Sequence, residues 1–131
     1  MDARGFQMKF CGWYAITVGI VMIGQWVFFI SMGQVPELQS EPLRIAFHLA
    51  SEGITAILLI LSGVGVLRSW KRIRIWYHVA CGMLLYSVIV SPGYFAQLGQ
   101  WSLVVMFAVL GVATISAIVV LDTKSPDTHG S

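Results

Sequence analysis

The chain has 131 residues, of which 57% are hydrophobic and only 11% charged, with a formal net charge of +2. A soluble domain carries about 25% charged residues, and a single domain of this length has too little polar surface to cover so much apolar mass in water. A water-soluble globule is excluded on those grounds, and a lipid environment is expected.

Met1 to Lys9 reads as a short polar leader with Arg4 and Lys9. Phe10 to Met32 follows as 23 residues without a charge. A signal-peptide core is only about 7–15 residues long, so this run is expected to be an uncleaved first span. Gly12, Ala15 and Gly19 share a face of it, and small residues on one face let a neighbouring helix approach closely. Gln25 is its one strongly polar side chain.

Gly33 to Pro42 contains Gly, Pro, Ser, two acids and no base, and reads as a short loop whose Pro42 suits a helix start. Leu43 to Leu67 is the second span, with Arg44 at its outset and Gly63 and Gly65 near its far end, where close packing or a slight bend is expected. Arg68-Ser-Trp-Lys-Arg-Ile-Arg74 places four bases beside Trp70 and Trp76, the signature of a cytoplasmic membrane boundary.

The third span is expected over 73–91, the shortest of the four, with a turn at Ser91-Pro-Gly-Tyr-Phe95. The fourth runs over 98–121 without a charge, and Asp122 to Ser131 is a polar tail. Short connections between long spans predict an all-α, single-domain, four-helix bundle of up-down-up-down topology. Arg4, Lys9, Arg68, Lys71, Arg72, Arg74 and Lys124 would lie on one side of the membrane and only Arg44 on the other. That bias predicts a cell-membrane protein with both termini cytoplasmic. The bases flank spans rather than forming a broad basic face, which speaks against nucleic acid as a partner.

The second span carries the chemistry. His48 and Glu52 are four residues apart and share a helix face, continued by Thr55 below and Arg44 above, with Ser51 and Ser62 near it. Lipid cannot satisfy such a stripe, so it should face other helices. From the helix rise, His48 lies roughly 7 Å and Glu52 roughly 13 Å inside a hydrocarbon core about 30 Å thick. An ionised acid at that depth is costly, so Glu52 is expected to be neutral much of the time or to share a proton with His48. Gln25 of the first span and Tyr86 and Ser87 of the third fall in the same depth band. The candidate ligand- or proton-binding site is therefore Gln25, Arg44, His48, Glu52, Thr55 and Tyr86. It suits a small amphipathic ligand, a proton or another ion, and a transport role is compatible with it.

No catalytic set, metal site or cofactor is specified. H-x-x-x-E supplies two ligands where a metal needs three or four, and His48 and His78 stand roughly 15 Å apart in depth by the helix rise. His78 is expected to be interfacial. Cys11 and Cys81 form no C-x-x-C pair and read as small packing residues. Trp13, Tyr14, Trp70, Trp76, Tyr94 and Trp101 are placed near the interfaces as an aromatic belt. With so little mass outside the bilayer, a homo-oligomer or a place as a small subunit of a membrane complex is a further expectation.

The segment His48-Leu-Ala-Ser-Glu52-Gly53 is similar to a His/Glu segment of sterol Δ8–Δ7 isomerases. The resemblance implies acid–base chemistry at a carbon centre by His48 and Glu52 within lipid. It covers six residues, and the second catalytic acid of those enzymes has no counterpart in the third or fourth span. The chain also departs from small multidrug exporters, which carry an essential acid in their first span, and it lacks the glutathione-binding pattern of the trimeric glutathione-handling membrane proteins.

Overall fold

A computed structural model describes residues 3–33, 35–97 and 99–123. Among these residues every regular element is a helix: α1 (Ala3–Ser31), α2 (Glu37–Ser40), α3 (Pro42–Leu67), α4 (Ile73–Gln97) and α5 (Trp101–Thr123). The four long ones are all long and apolar enough to cross a membrane. They pack as a ring, α1 on α3, α3 on α4, α4 on α5 and α5 back on α1. Leu98, Lys124, His129 and the rest of the expected tail from residue 124 lie outside the described residues, as do the side chains of Arg4 and Tyr94.

Three expected boundaries are corrected. The leader is not separate: α1 begins at Ala3, because no proline lies between there and Lys9 and Arg4, Gln7, Met8 and Lys9 are good helix formers that outweigh the single Gly5. The connection between the first two spans holds a four-residue helix, α2. The turn expected at Ser91 to Phe95 does not form. Instead α4 runs through Pro92 to Gln97, which makes it longer than α5 rather than the shortest span. Proline forfeits one backbone hydrogen bond, a loss that helices of membrane-spanning type tolerate. The helix stops where Gly99 takes a left-handed φ of 76°. There Gln100 N–H donates to Phe95 O at 2.9 Å and Gly99 N–H to Ala96 O at 3.0 Å, the paired bonds that satisfy a helix's last carbonyls.

The end of α3 is built the same way without glycine. Trp70 N–H donates to Gly65 O at 2.8 Å and Ser69 N–H to Val66 O at 3.3 Å, while Ser69 holds φ at 54°. A residue with a Cβ pays about 1–2 kcal/mol in that conformation. Ser69→Gly is therefore expected to stabilise the fold by up to about 1 kcal/mol, after the entropy glycine loses on ordering, measured as a higher midpoint in detergent unfolding.

The close faces foreseen on α1 and α3 meet. A Cβ on Gly63 would lie 2.5 Å from the Gly12 carbonyl oxygen, and one on Gly19 would lie 2.7 Å from that of Ala56. The buried core centres on Tyr77, Leu59, Leu84, Leu121 and Thr114, with Cys11 and Cys81 among them. Both cysteines are free thiols, in keeping with a packing role. Tyr77 of α4 donates its hydroxyl to the Cys11 carbonyl of α1 at 2.8 Å. Tyr14 is no interfacial anchor: its hydroxyl lies 2.7 Å from Thr114 Oγ1 and 3.3 Å from the Leu110 carbonyl of α5. It faces inward because position 14 falls on the same side of α1 as buried Cys11 and Val18.

Candidate functional site

Beyond the Tyr14–Thr114 contact the helices part and line a half-open cavity of about 1170 Å³. All four long helices line it: the later half of α1, the first half of α3, the later half of α4 and the first half of α5. Its walls are mostly apolar, among them Val18, Met22, Leu84, Val88, Phe107 and Leu110. A few polar groups converge inside, the arrangement typical of a small-molecule site.

Glu52 supplies the centre. It is only 9% exposed, and Ser87 of α4 donates its hydroxyl to Glu52 Oε1 at 2.5 Å. His48, one turn earlier, is half-buried and sets its ring edge-on to Trp26 of α1 at 5.4 Å between centroids. Gln25, beside Trp26, is half-buried on the cavity wall. The structure thus brings Gln25, His48 and Glu52 to one space, as their depths had indicated.

Three of the expected members are placed differently. Tyr86 is 71% exposed and turned away from the cavity. One residue along an α-helix is a rotation of about 100°, and the rotation of α4 puts Ser87 inward in its stead. Thr55 is buried, but its hydroxyl donates to the Ser51 carbonyl one turn back at 2.8 Å, a bond that keeps it on its own helix; it does not line the cavity. Arg44 lines the cavity's edge rather than its depth and pairs with Glu41 at 3.2 Å in a largely exposed position. Such a pair is worth at most about 1 kcal/mol.

The expected His48–Glu52 proton sharing is also corrected. Glu52 bonds Ser87 and His48 packs on Trp26, so the two side chains engage neighbours on different helices. A shared helix face places two residues side by side without obliging them to bond. Trp26 is the member of the site that depth along the spans does not single out. Its position well inside a span, away from any interface, was the available signal.

Removing the Ser87 hydroxyl takes the donor from a buried carboxyl group. Ser87→Ala should destabilise the fold by about 1–3 kcal/mol and shift the Glu52 carboxyl band in the infrared. An unchanged band would show that the two groups do not bond.

At the opposite end of the helices, Asp122 Oδ1 accepts from Arg74 Nη2 at 3.3 Å and lies 3.0 Å from His78 Nε2. His78 Nδ1 is 2.7 Å from the Arg74 carbonyl oxygen. This ties the basic segment to the last turn of α5, where cations favour the helix C-terminus. His78 is half-exposed there. No group of three or more His, Cys, Asp or Glu residues is arranged to hold a metal ion among the described residues.

Four apolar helices of spanning length, with large hydrophobic side chains such as Phe47, Ile89 and Val105 facing outward, are consistent with a multi-pass membrane protein. More narrowly, the family model described as "Domain of unknown function (DUF8058)" matches residues 6–128, and the chain belongs to that family. No curated protein and no solved structure matches the chain.

Proposed function

We propose that this is a single-domain protein of the cell membrane, an up-down-up-down bundle with both termini cytoplasmic, that binds a small ligand or ion at a proton-responsive site centred on Glu52. The single observation behind the binding role is the cavity that the four long helices line beside Glu52, the one buried acid among the described residues. A packing role alone calls for helices in contact, whereas here a volume somewhat above the usual range of drug-sized pockets stays open beside a carboxyl group. Intramembrane acids are costly and are retained where they pair or work.

The topology has its own support. Gly12 meets Leu67 while Gly19 meets Ile60, so the contacts descend along α3 as they ascend along α1. Arg74 meets Asp122 while Phe95 stacks on Phe107 at 5.7 Å, so they also descend along α5 as they ascend along α4. The seven-to-one distribution of bases supports the orientation. Transport through such a site requires a second access state, in which α3 or α4 repacks.

The test pairs Glu52→Gln with two readouts in lipid. Gln keeps the shape and removes the proton. The infrared carboxyl band assigned to Glu52 should titrate in the wild type and vanish in the variant. Native mass spectra from lipid should show wild-type chains retaining a small molecule that the variant loses by about tenfold or more, a change of about 1.4 kcal/mol. Retention that is identical in both proteins across pH 5–9 would defeat the reading. The same spectra report whether the chain is a monomer, a homo-oligomer or bound to other subunits.

A further inference from the structure

We propose that the cavity takes an alkyl amine, an amphiphile that arrives sideways from the lipid between α1 and α5 and sets its ammonium on Glu52. This rests on the reading of the cavity as a binding site and adds the class of ligand and its route.

The route follows from the two helix edges. Tyr14 touches α5 at Leu110 and Thr114, and Cys11 touches it at Ala117. Those contacts close one half of the α1–α5 seam, and of their residues Leu110 also lines the cavity. Thr17 and Val21 continue the Tyr14 side of α1 at helical spacing, and Met106 and Ala113 flank Leu110 on α5. All four line the cavity. Thr17 is exposed, Val21 is 59% exposed and Met106 is 42% exposed. A side chain that lines a cavity and also faces outward marks its mouth. On a protein in a bilayer this mouth opens on acyl chains, because Thr17, Val21, Met106 and Ala113 lie within spans; the exposed Glu41, Arg44 and Gln97, which also line the cavity, open it a second time at the helix ends.

The head group follows from the polar inventory. The charged or titratable residues lining the cavity, among those described, are Glu41, Arg44, His48 and Glu52; α1, α4 and α5 contribute none. Arg44 is engaged with Glu41 at the exposed edge. His48 packs on Trp26, so among the described residues Glu52 has a hydroxyl donor in Ser87 and no lysine or arginine paired with it. Its second carboxylate oxygen is left to accept, and α1 adds the Gln25 amide and the Trp26 indole to the wall of the same cavity. An ammonium satisfies the carboxylate by charge pairing and by N–H donation, and an amide oxygen and an aromatic ring on the wall are groups a cation tolerates. The apolar walls accept its alkyl body.

The test uses the full chain in phosphatidylcholine nanodiscs, with empty nanodiscs as background. Binding of tritiated dodecylamine and of tritiated dodecanol is read by scintillation proximity. The two probes share a chain and differ in charge. The wild type should hold the amine at least about thirtyfold more tightly than the alcohol, the range expected when a buried charge gains or loses its partner. Glu52→Gln should erase that preference, and Glu52→Asp should keep part of it. Val21→Trp combined with Met106→Trp, which fills the mouth, should slow uptake of both probes. Equal binding of amine and alcohol, with both blocked at the mouth, would overturn the amine assignment and leave the cavity reading standing. Binding of neither probe would overturn the amine assignment and count against the cavity reading as well. The wild-type comparison decides the question even where a variant fails to assemble.

Discussion

Replacing Gly63 with leucine should separate α1 from α3 and destabilise the protein by about 3 kcal/mol or more, the upper part of the cost of overpacking. A Cβ at that position would stand 2.5 Å from the Gly12 carbonyl oxygen and 3.1 Å from the Ile16 backbone nitrogen. Neither is the end of a flexible side chain, so one helix has to move away from the other. That movement breaks more than one contact. In lipid, helices gain nothing from being apolar, since acyl chains are apolar too, and their association relies on close van der Waals fit. The α1–α3 seam is built on such fit at Gly12, Gly19 and Gly63. Gly82→Ala is the control. No atom lies within 4 Å of a Cβ built there, so the substitution should be neutral or stabilise by up to about 1 kcal/mol through helix propensity. The pair is read by unfolding midpoints in mixed detergent, and a Gly63→Leu variant that melts with the wild type would refute the close approach.

The second large effect is expected at Tyr77. Its side chain is fully buried, and its hydroxyl donates across the bundle to the Cys11 carbonyl at 2.8 Å. Two substitutions separate its two roles. Tyr77→Phe removes the bond and keeps the ring, at a cost of about 0.6–1.7 kcal/mol for an intramembrane hydrogen bond. Tyr77→Ala removes the ring as well and leaves a cavity among Cys11, Cys81 and their neighbours, with a total cost of about 3–5 kcal/mol. The lower part of that range is favoured here, because the loss is of packing contacts rather than of transfer from water. Unfolding curves for the two variants give the split directly. If Tyr77→Phe lost as much as Tyr77→Ala, the hydroxyl rather than the ring would be the main tie.

Both effects concern the half of the molecule that closes beneath the cavity. Tyr77, Tyr14 and the glycine seam hold the helices together there, and the same helices diverge towards Glu52. A tight half and an open half follow from where the small and bulky residues fall. Gly12 and Gly19 seat α1 on α3 along its first part, whereas Trp26 and Phe29 stand farther along α1 on the cavity wall.

Much of this was legible in the residues alone. Four apolar runs, the polar stripe of the second and the small-residue face of the first are consequences of composition and of the helical repeat. Both act within one segment, so no knowledge of its neighbours is needed. The depths of Gln25, His48, Glu52 and Ser87 followed for the same reason, since the helix rise is constant. What only the tertiary structure decided is rotation. Tyr86 and Ser87 have the same depth, and which of them faces Glu52 depends on how α4 turns to pack against α3 and α5. Arg44 and Thr55 share the helix face of His48 and Glu52, yet one turns out to pair with Glu41 and the other bonds back to Ser51, because each found a partner nearer than the cavity. The persistence of α4 through Pro92 was likewise not legible, because a proline marks a probable helix boundary in sequence yet helices of membrane-spanning type tolerate it.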